Sequence, residues 1–361
     1  MAEPRRKQSP GELVAHLLIG AWRELPPELN ATAEELDAVT SQILGSGSSG
    51  LVWRRISQTD LQSSPSAFEL KQAYRLQSLS AALHEIKIEK VMALLQAAQI
   101  EPVLLKGRAI ADLYPERALR PYGDIDLCFK RQQYSLALAT LGKPEAKDFN
   151  VDPHEELDRL YGLSFDELFE SSQIKKVGKV SVRAPSAEHH LRILCIHFLK
   201  HGAWRPLQLC DVAVALEARS DDFDWDRCLG KDKLVTDWVA SAIGLAHRLL
   251  GARIEDTPVK TRAQHLPRWL VPAVLKQWET PYPQTNETTD LMITHLRRRS
   301  GVIREMARRW PNPIRATVYF RAPFNELPRL PLQLSNYISQ AARFLFRLPK
   351  ALAEIDSLKQ K

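Results

Sequence analysis

The sequence predicts an α+β chain in which a small mixed sheet sits between N-terminal helices and a C-terminal helical domain. Three observations predict it. Apolar residues recur near a 3.6 period as far as Leu95 and again after Glu188. Between those stretches, Ile125, Leu127 and Phe129 alternate strictly with Asp124, Asp126 and Cys128, which marks a strand. No fixed-period repeat and no regular strand–helix alternation of the doubly wound kind runs through the 361 residues.

In chain order, residues 13–22 and 33–44 are two short apolar segments. Gly45, Gly47 and Gly50 then formally satisfy G-x-G-x-x-G. A nucleotide fingerprint needs a strand before it and an acidic residue about 20 positions on. Residues 34–44 look helical and Asp60 comes too soon, so the stretch reads as a flexible Ser/Gly linker. Ser64-Pro65-Ser66 starts a long helix carrying Leu76, Leu79, Leu83, Ile86, Val91, Leu94 and Leu95 at helical spacing.

Val103-Leu104-Leu105 is a short apolar run before Gly107, with Ile110, Leu113 and Tyr114 following at helical spacing. Residues 132–141 are a helix candidate, Phe149 and Val151 mark another strand, and Val177, Val180 and Val182 a hairpin about Gly178. Helical patterns return at Leu191, Leu194, Cys195 and Phe198, then over 207–216 and 234–250. Pro258, Pro267, Pro281 and Pro283 break these from a tail. The expected segments are an N-terminal helical segment (1–99), a core (100–185), a helical domain (186–290) and a basic helical tail (291–361).

With 44% hydrophobic and 26% charged residues, the composition excludes wholesale disorder and collagen-like repeats. Cys128, Cys195, Cys210 and Cys228 form no C-x-x-C pair, which fits a reduced cytoplasmic protein without a zinc–cysteine site. Residues 1–10 lack a signal-peptide pattern, and no apolar run reaches the length of about 18 needed for a spanning helix. The net charge of +7 is uneven: residues 291–361 hold 14 Lys+Arg against 4 Asp+Glu, a net of +10, leaving −3 elsewhere. Arg297-Arg298-Arg299, Arg308-Arg309-Trp310 and Arg343 to Arg347 read as a solvated helical face backed by a packed stripe of Ile338, Ala342, Leu345 and Leu348. The competing reading is contact with nucleic acid or, peripherally, with an anionic membrane.

The informative constellation is Leu104-Leu105-Lys106-Gly107-Arg108, followed by Arg120-Pro121-Tyr122-Gly123-Asp124-Ile125-Asp126-Leu127. In a strand, Asp124 and Asp126 project from one face, and two carboxylates that close repel each other. A divalent cation resolves the repulsion, and Mg²⁺ prefers hard oxygen ligands shared with phosphates. Lys106-Gly107 sits where a strand turns into a helix, whose free N–H groups suit a phosphate.

These residues resemble the nucleotidyltransferase superfamily related to DNA polymerase β, with its Gly-containing strand–helix turn followed by Asp-x-Asp. More narrowly, Leu-Leu-Lys-Gly, Leu-Tyr-Pro and Leu-Arg-Pro-Tyr-Gly-Asp-Ile-Asp-Leu resemble an uncharacterised bacterial nucleotidyltransferase family, the family 5 type. Val151-Asp152-Pro153-His154 is similar to that family's Val-Asp-x-His strand. The similarity continues in Leu194-Cys195-Ile196-His197-Phe198-Leu199-Lys200-His201-Gly202-Ala203-Trp204 and Leu209-Cys210-Asp211.

The resemblance implies a polymerase-β-like sheet and transfer of a nucleoside monophosphate from an NTP to an unidentified hydroxyl-bearing acceptor. Asp124, Asp126 and Asp152 would be catalytic and hold Mg²⁺ or Mn²⁺. Lys106, Gly107, Arg108, Arg120 and Gly123 would bind the nucleotide, and His154, His197, His201 and Asp211 would line the acceptor cleft. The alternative is a protein of the same fold that binds nucleotide, or serves as a scaffold, without turnover.

Three departures from the superfamily pattern bear on this. Arg108 replaces a small residue, so its guanidinium either restricts the phosphates or contacts them. Only 25 residues separate Asp126 from Asp152. Pro153 cannot donate to a ladder and places its strand at an edge or an end. Asp152 reads either as the third carboxylate or as a helix N-cap before Glu155-Glu156-Leu157. His197 and His201 have i, i+4 spacing that can bind zinc, but no H-E-x-x-H glutamate follows; buried, hydrogen-bonded histidines are the expected reading. Asp211 is expected to orient one of them.

Overall fold

The computed structural model describes residues 8–157, 160–281 and 310–343. Ser9 caps α1 (Pro10–Leu18) and Thr32 caps α2 (Ala33–Ser46), each in a capping box with the glutamate three residues on. Gly47 ends α2 in the left-handed region, where a Cβ would meet the Arg205 guanidinium, and α3 (Ser49–Ile56) begins two residues later. The Gly/Ser stretch is therefore a fixed corner between two helices, not a flexible linker. Local composition suggested flexibility; packing against Arg205, which the sequence does not display, removes it.

Ser64 caps the 33-residue α4 (Pro65–Ala97), with Pro65 in the first turn where its missing N–H is harmless. The sheet comprises β1 (Val103–Leu104), β2 (Ile125–Phe129), β3 (Val151–Glu155), β4 (Gln173–Val177) and β5 (Val180–Ala184), in the order β3-β2-β1-β5-β4. The β1–β2 and β4–β5 pairs are antiparallel, whereas β2–β3 and β1–β5 are parallel. Between β1 and β2 lies the one-turn α5 (Arg108–Ala111); α6 (Arg131–Leu141) makes the crossover from β2 to β3. Pro153 stands in β3, an edge strand, as its missing N–H requires. The expected hairpin closes at Val177 and Val180, with Gly178 at φ +55°.

All five residues of β2 are buried, so its alternation separates two covered faces and not core from solvent. Ile125, Leu127 and Phe129 pack with Ile88, Val91, Met92 and Leu95 of α4 and with Ala137 of α6. On the other face, Cys128 joins Val103, Leu105 and the helical core. That core includes α8 (Ala187–Lys200), which follows α7 (Phe165–Glu170), and then α9 (Pro206–Glu217), α10 (Trp225–Leu229) and α11 (Lys233–Leu250). It is completed by α12 (Lys260–Gln264), α13 (Leu270–Trp278) and α14 (Pro313–Tyr319).

Helices α1 to α3 belong to the same core: Gly11 lets α1 lie directly on the Leu275 carbonyl of α13. Trp22 and Arg23 both bind Glu217 of α9, at 3.1 and 2.9 Å. The four cysteines are free and buried. Residues 330–343 are helical, but Ile338 and Ala342 are exposed, so the stripe read there is not packed at these two positions. The arginines at 297–299 and 308–309, together with residues 344–361, lie outside the described residues. Among those described, no helix is long and apolar enough to cross a membrane.

Candidate active site

After β1 the ladder extends by one bond, from Leu105 N–H to the Asp126 carbonyl at 3.1 Å. Gly107 then turns the chain into α5 with φ +59° and ψ −108°, a conformation that disfavours any side chain. A Cβ there would also stand 3.3 Å from Tyr122 Cβ. This turn delivers the Lys106 side chain to Asp126, with Nζ 2.7 Å from Oδ1.

The parallel register of β2 and β3 sets Asp126 opposite Asp152 and Cys128 opposite His154. Asp152 therefore lies within a strand, and the helix N-cap reading is overturned. His154 Nε2 is 3.2 Å from both Asp126 Oδ1 and Asp152 Oδ2, so a single N–H is shared between two carboxylates. Ligand atoms of Asp126, Asp152 and His154 all fall within 4.8 Å of one another, close enough to hold one metal ion.

Asp124 sits just before β2 at the exposed rim. Loss of solvent around its carboxyl, then the Asp126 charge, raise its pKa above the usual value; Asp152 adds to the rise while Lys106 opposes it. Asp126 is 4% exposed, and burial alone would raise its pKa. The His154 hydrogen bond and the Lys106 ammonium outweigh burial and hold it below the usual value. The repulsion foreseen between the two aspartates is thus borne by Asp124, because Asp126 has cationic company.

Both arginines expected at the phosphates have other partners. Arg108 is 2% exposed, with Nε 2.9 Å from Glu85 of α4 and Nη1 2.6 Å from Asp112, and Arg117 bridges the same two carboxylates. Arg120 reaches Asp211 of α9, with Nη2 2.7 Å from Oδ2 and Nε 3.1 Å from Oδ1. Tyr114 donates a further bond of 2.8 Å to that carboxylate. Burial raises the Tyr114 hydroxyl pKa well above its usual value, and Asp211 raises it further. Asp211 therefore anchors the loop before β2 instead of orienting a histidine; a guanidinium fork matches a carboxylate better than an imidazole does. Gly123 has open space where a Cβ would stand, so no packing demands glycine there.

His197 Nδ1 is 3.3 Å from Lys106 Nζ, and its Nε2 is 3.0 Å from the Gln208 amide. Burial, then Lys106, push its pKa well below the usual value, so the ring is neutral and has one N–H. Gln208 presents its amide nitrogen to Nε2, while its amide oxygen lies buried without a hydrogen-bond partner among the described residues. His201 ends α8 with its ring 4.4 Å from that of His197. Among the described residues neither histidine joins a metal-type cluster.

A cleft of about 230 Å³ opens beside the carboxylates, lined by Lys106, His154, Tyr161, Ile193 and Lys200 among others. Of the four residues expected along the acceptor cleft, His154 borders it; His197, His201 and Asp211 do not. Sequence reasoning missed Tyr114, Gln208 and Tyr161. Each acts through a partner 11 to 97 positions away or lines a cleft shared by several elements, and no local spacing signals that.

No curated protein and no solved structure matches the chain. The sequence model of a family described as an uncharacterised nucleotidyltransferase matches residues 32–251, which takes in α2 to α11, the whole sheet and every site residue above. The match covers more than half of the chain, and the chain belongs to this uncharacterised nucleotidyltransferase family.

Proposed function

We propose that the protein moves a nucleoside monophosphate from an NTP to a hydroxyl-bearing acceptor and releases pyrophosphate, with a divalent cation as cofactor. The observation that carries this reading is the pairing of Asp126 with Asp152 across β2 and β3, with His154 on both and Lys106 on Asp126. Two carboxylate oxygens and an imidazole nitrogen within 4.8 Å of each other fit a divalent ion. The carboxylates suit Mg²⁺ or Mn²⁺, and the imidazole is the better matched to Mn²⁺. When bound, such an ion supplies positive charge to the attacking and leaving oxygens of an in-line displacement.

The chain's own groups do the rest. Asp126 and Asp152 would hold the ion, and Asp124 adds negative charge at the rim. Occupation of Asp126 would free the Lys106 ammonium, which with the Gly107 turn would receive phosphate oxygens. An acceptor in the cleft by His154 and Tyr161 would attack the α-phosphorus. The bond to the bridging oxygen then breaks, pyrophosphate leaves, and the hydroxyl proton passes to Asp152.

The second reading, a nucleotide-binding scaffold without turnover, draws on one observation. Asp126 already has Lys106 as a cation, and Arg108 and Arg120 are both committed to carboxylates. Incubation with each α-labelled NTP, Mg²⁺ or Mn²⁺, and cell extract separates the two. Label transferred to a discrete species, with pyrophosphate released, is the expected outcome. NTP binding without pyrophosphate release from any acceptor pool leaves only the scaffold.

A further inference from the structure

Helix α4 carries two apolar stripes, and the fold uses one. Ala67, Leu70, Ile88, Val91, Met92 and Leu95 are buried against the two cores. Leu76, Leu79, Leu83 and Ile86 are 68, 60, 52 and 50% exposed, on the side facing away from the protein. Their spacing of three, four and three residues is that of alternating a and d positions in a heptad. With this register the buried residues occupy b, c and f positions, so the outward seam is a second amphipathic face. A surface helix normally turns its apolar stripe inward; four half-exposed leucine-type side chains in one line mark an interaction surface.

We propose that this seam pairs with the same seam of a second copy, giving a two-fold dimer through antiparallel α4 helices. The seam's polar ends select that orientation. Continued by whole heptads, the line passes through Glu69 and Gln72 at one end and Lys90 and Ala93 at the other, with Glu69 and Lys90 both exposed. A parallel pair would set Glu69 against Glu69 and Lys90 against Lys90. The antiparallel pair stacks Leu76 on Ile86 and Leu79 on Leu83 of the other copy, sets Glu69 opposite Ala93 and Lys90 opposite Gln72, and so brings Glu69 within one layer of Lys90 at both ends. The arrangement is self-complementary, as an isologous interface must be.

The contact spans about 37 Å of helix and is about 10 Å wide on each copy. That area lies below the standard interface of about 1,600 Å². The dimer therefore forms reversibly and dissociates on dilution.

Sedimentation equilibrium of the full chain, up to about 100 µM, is the test. The expected result is a reversible monomer–dimer equilibrium. Leu79→Glu with Leu83→Glu should leave a monomer of unchanged melting temperature, since both side chains are exposed. Glu69→Lys should weaken the dimer several-fold, and adding Lys90→Glu should restore it. Ser80→Cys, one residue from the two-fold axis, which this alignment puts at Ala81, should give a disulfide-linked dimer; the native cysteines are buried. A chain that stays monomeric throughout overturns the proposal and leaves the seam to a different protein. So does a dimer indifferent to the Leu→Glu changes, and failure of the charge swap to rescue overturns the antiparallel pairing.

Discussion

Asp124 and Asp126 are two residues apart on one face, yet the same substitution should move the apo protein in opposite directions. Asp126 is held ionised by His154 and Lys106, so Asp126→Asn breaks a buried pair and should lower stability by on the order of 3 kcal/mol. Asp124 is held above its usual pKa by burial and by Asp126, so Asp124→Asn relieves strain and should raise the melting temperature. Asp126→Asn should abolish nucleotide turnover and Asp124→Asn should lower it, and paired thermal melts with pyrophosphate assays check both halves. Asp152 differs again, because it is half-exposed and its carboxylate meets the shared His154 proton. Asp152→Ala should weaken metal–NTP binding and lower turnover by about 10³ or more. Wild-type turnover in that variant would reduce Asp152 to a bystander of β3.

At the scale of elements, α8 places buried neutral histidines behind the sheet, and this has a pH consequence. Burial lowers the pKa of His190 to about 3 and of His189 to about 4, with nearby cations adding to the effect. In the unfolded chain each takes up a proton near pH 6.5. The folded pKa is the depressed one, so their contribution to stability is complete above about pH 6.5 and lost as pH falls towards 4 and 3. The melting temperature should drop between pH 7 and pH 4.5, and His190→Gln, which cannot take up a proton, should flatten the slope. The strand β2 and the edge position of β3 were legible in the sequence because alternation and a missing N–H are local properties. The pairing of Arg120 with Asp211 was not, because 91 residues separate the partners and nothing in either neighbourhood names the other. In α4 the residues read as one apolar stripe lie on two faces: Val91 and Leu95 are buried, whereas Leu76, Leu79, Leu83 and Ile86 look outward.

For the whole molecule, the four segments marked out along the sequence are not four cores. One hydrophobic cluster joins Leu13, Leu17, Leu36 and Leu51 from the first three helices to Leu194, Leu209, Trp238 and Trp278 from those beyond the sheet. The second lies beneath the carboxy-terminal half of α4, whose amino-terminal half supplies Ala67 and Leu70 to the first. A helix running unbroken through both clusters couples them mechanically, and the Arg120–Asp211 bond joins the loop before β2 to the helical core. Folding should then be cooperative across the sheet and the helices, in one urea transition seen alike by far-ultraviolet dichroism and tryptophan fluorescence. A chain beginning at residue 100 would lose all of α1 to α4, uncovering Ile125, Leu127 and Phe129 on one face and the α9–α13 surface on the other. It should be insoluble or molten, with no sharp near-ultraviolet dichroism and no cooperative melt. A stable, cooperatively folded 100–290 fragment would show instead that the sheet and the later helices stand without the N-terminal helices, and that α4 covers a core it does not hold together.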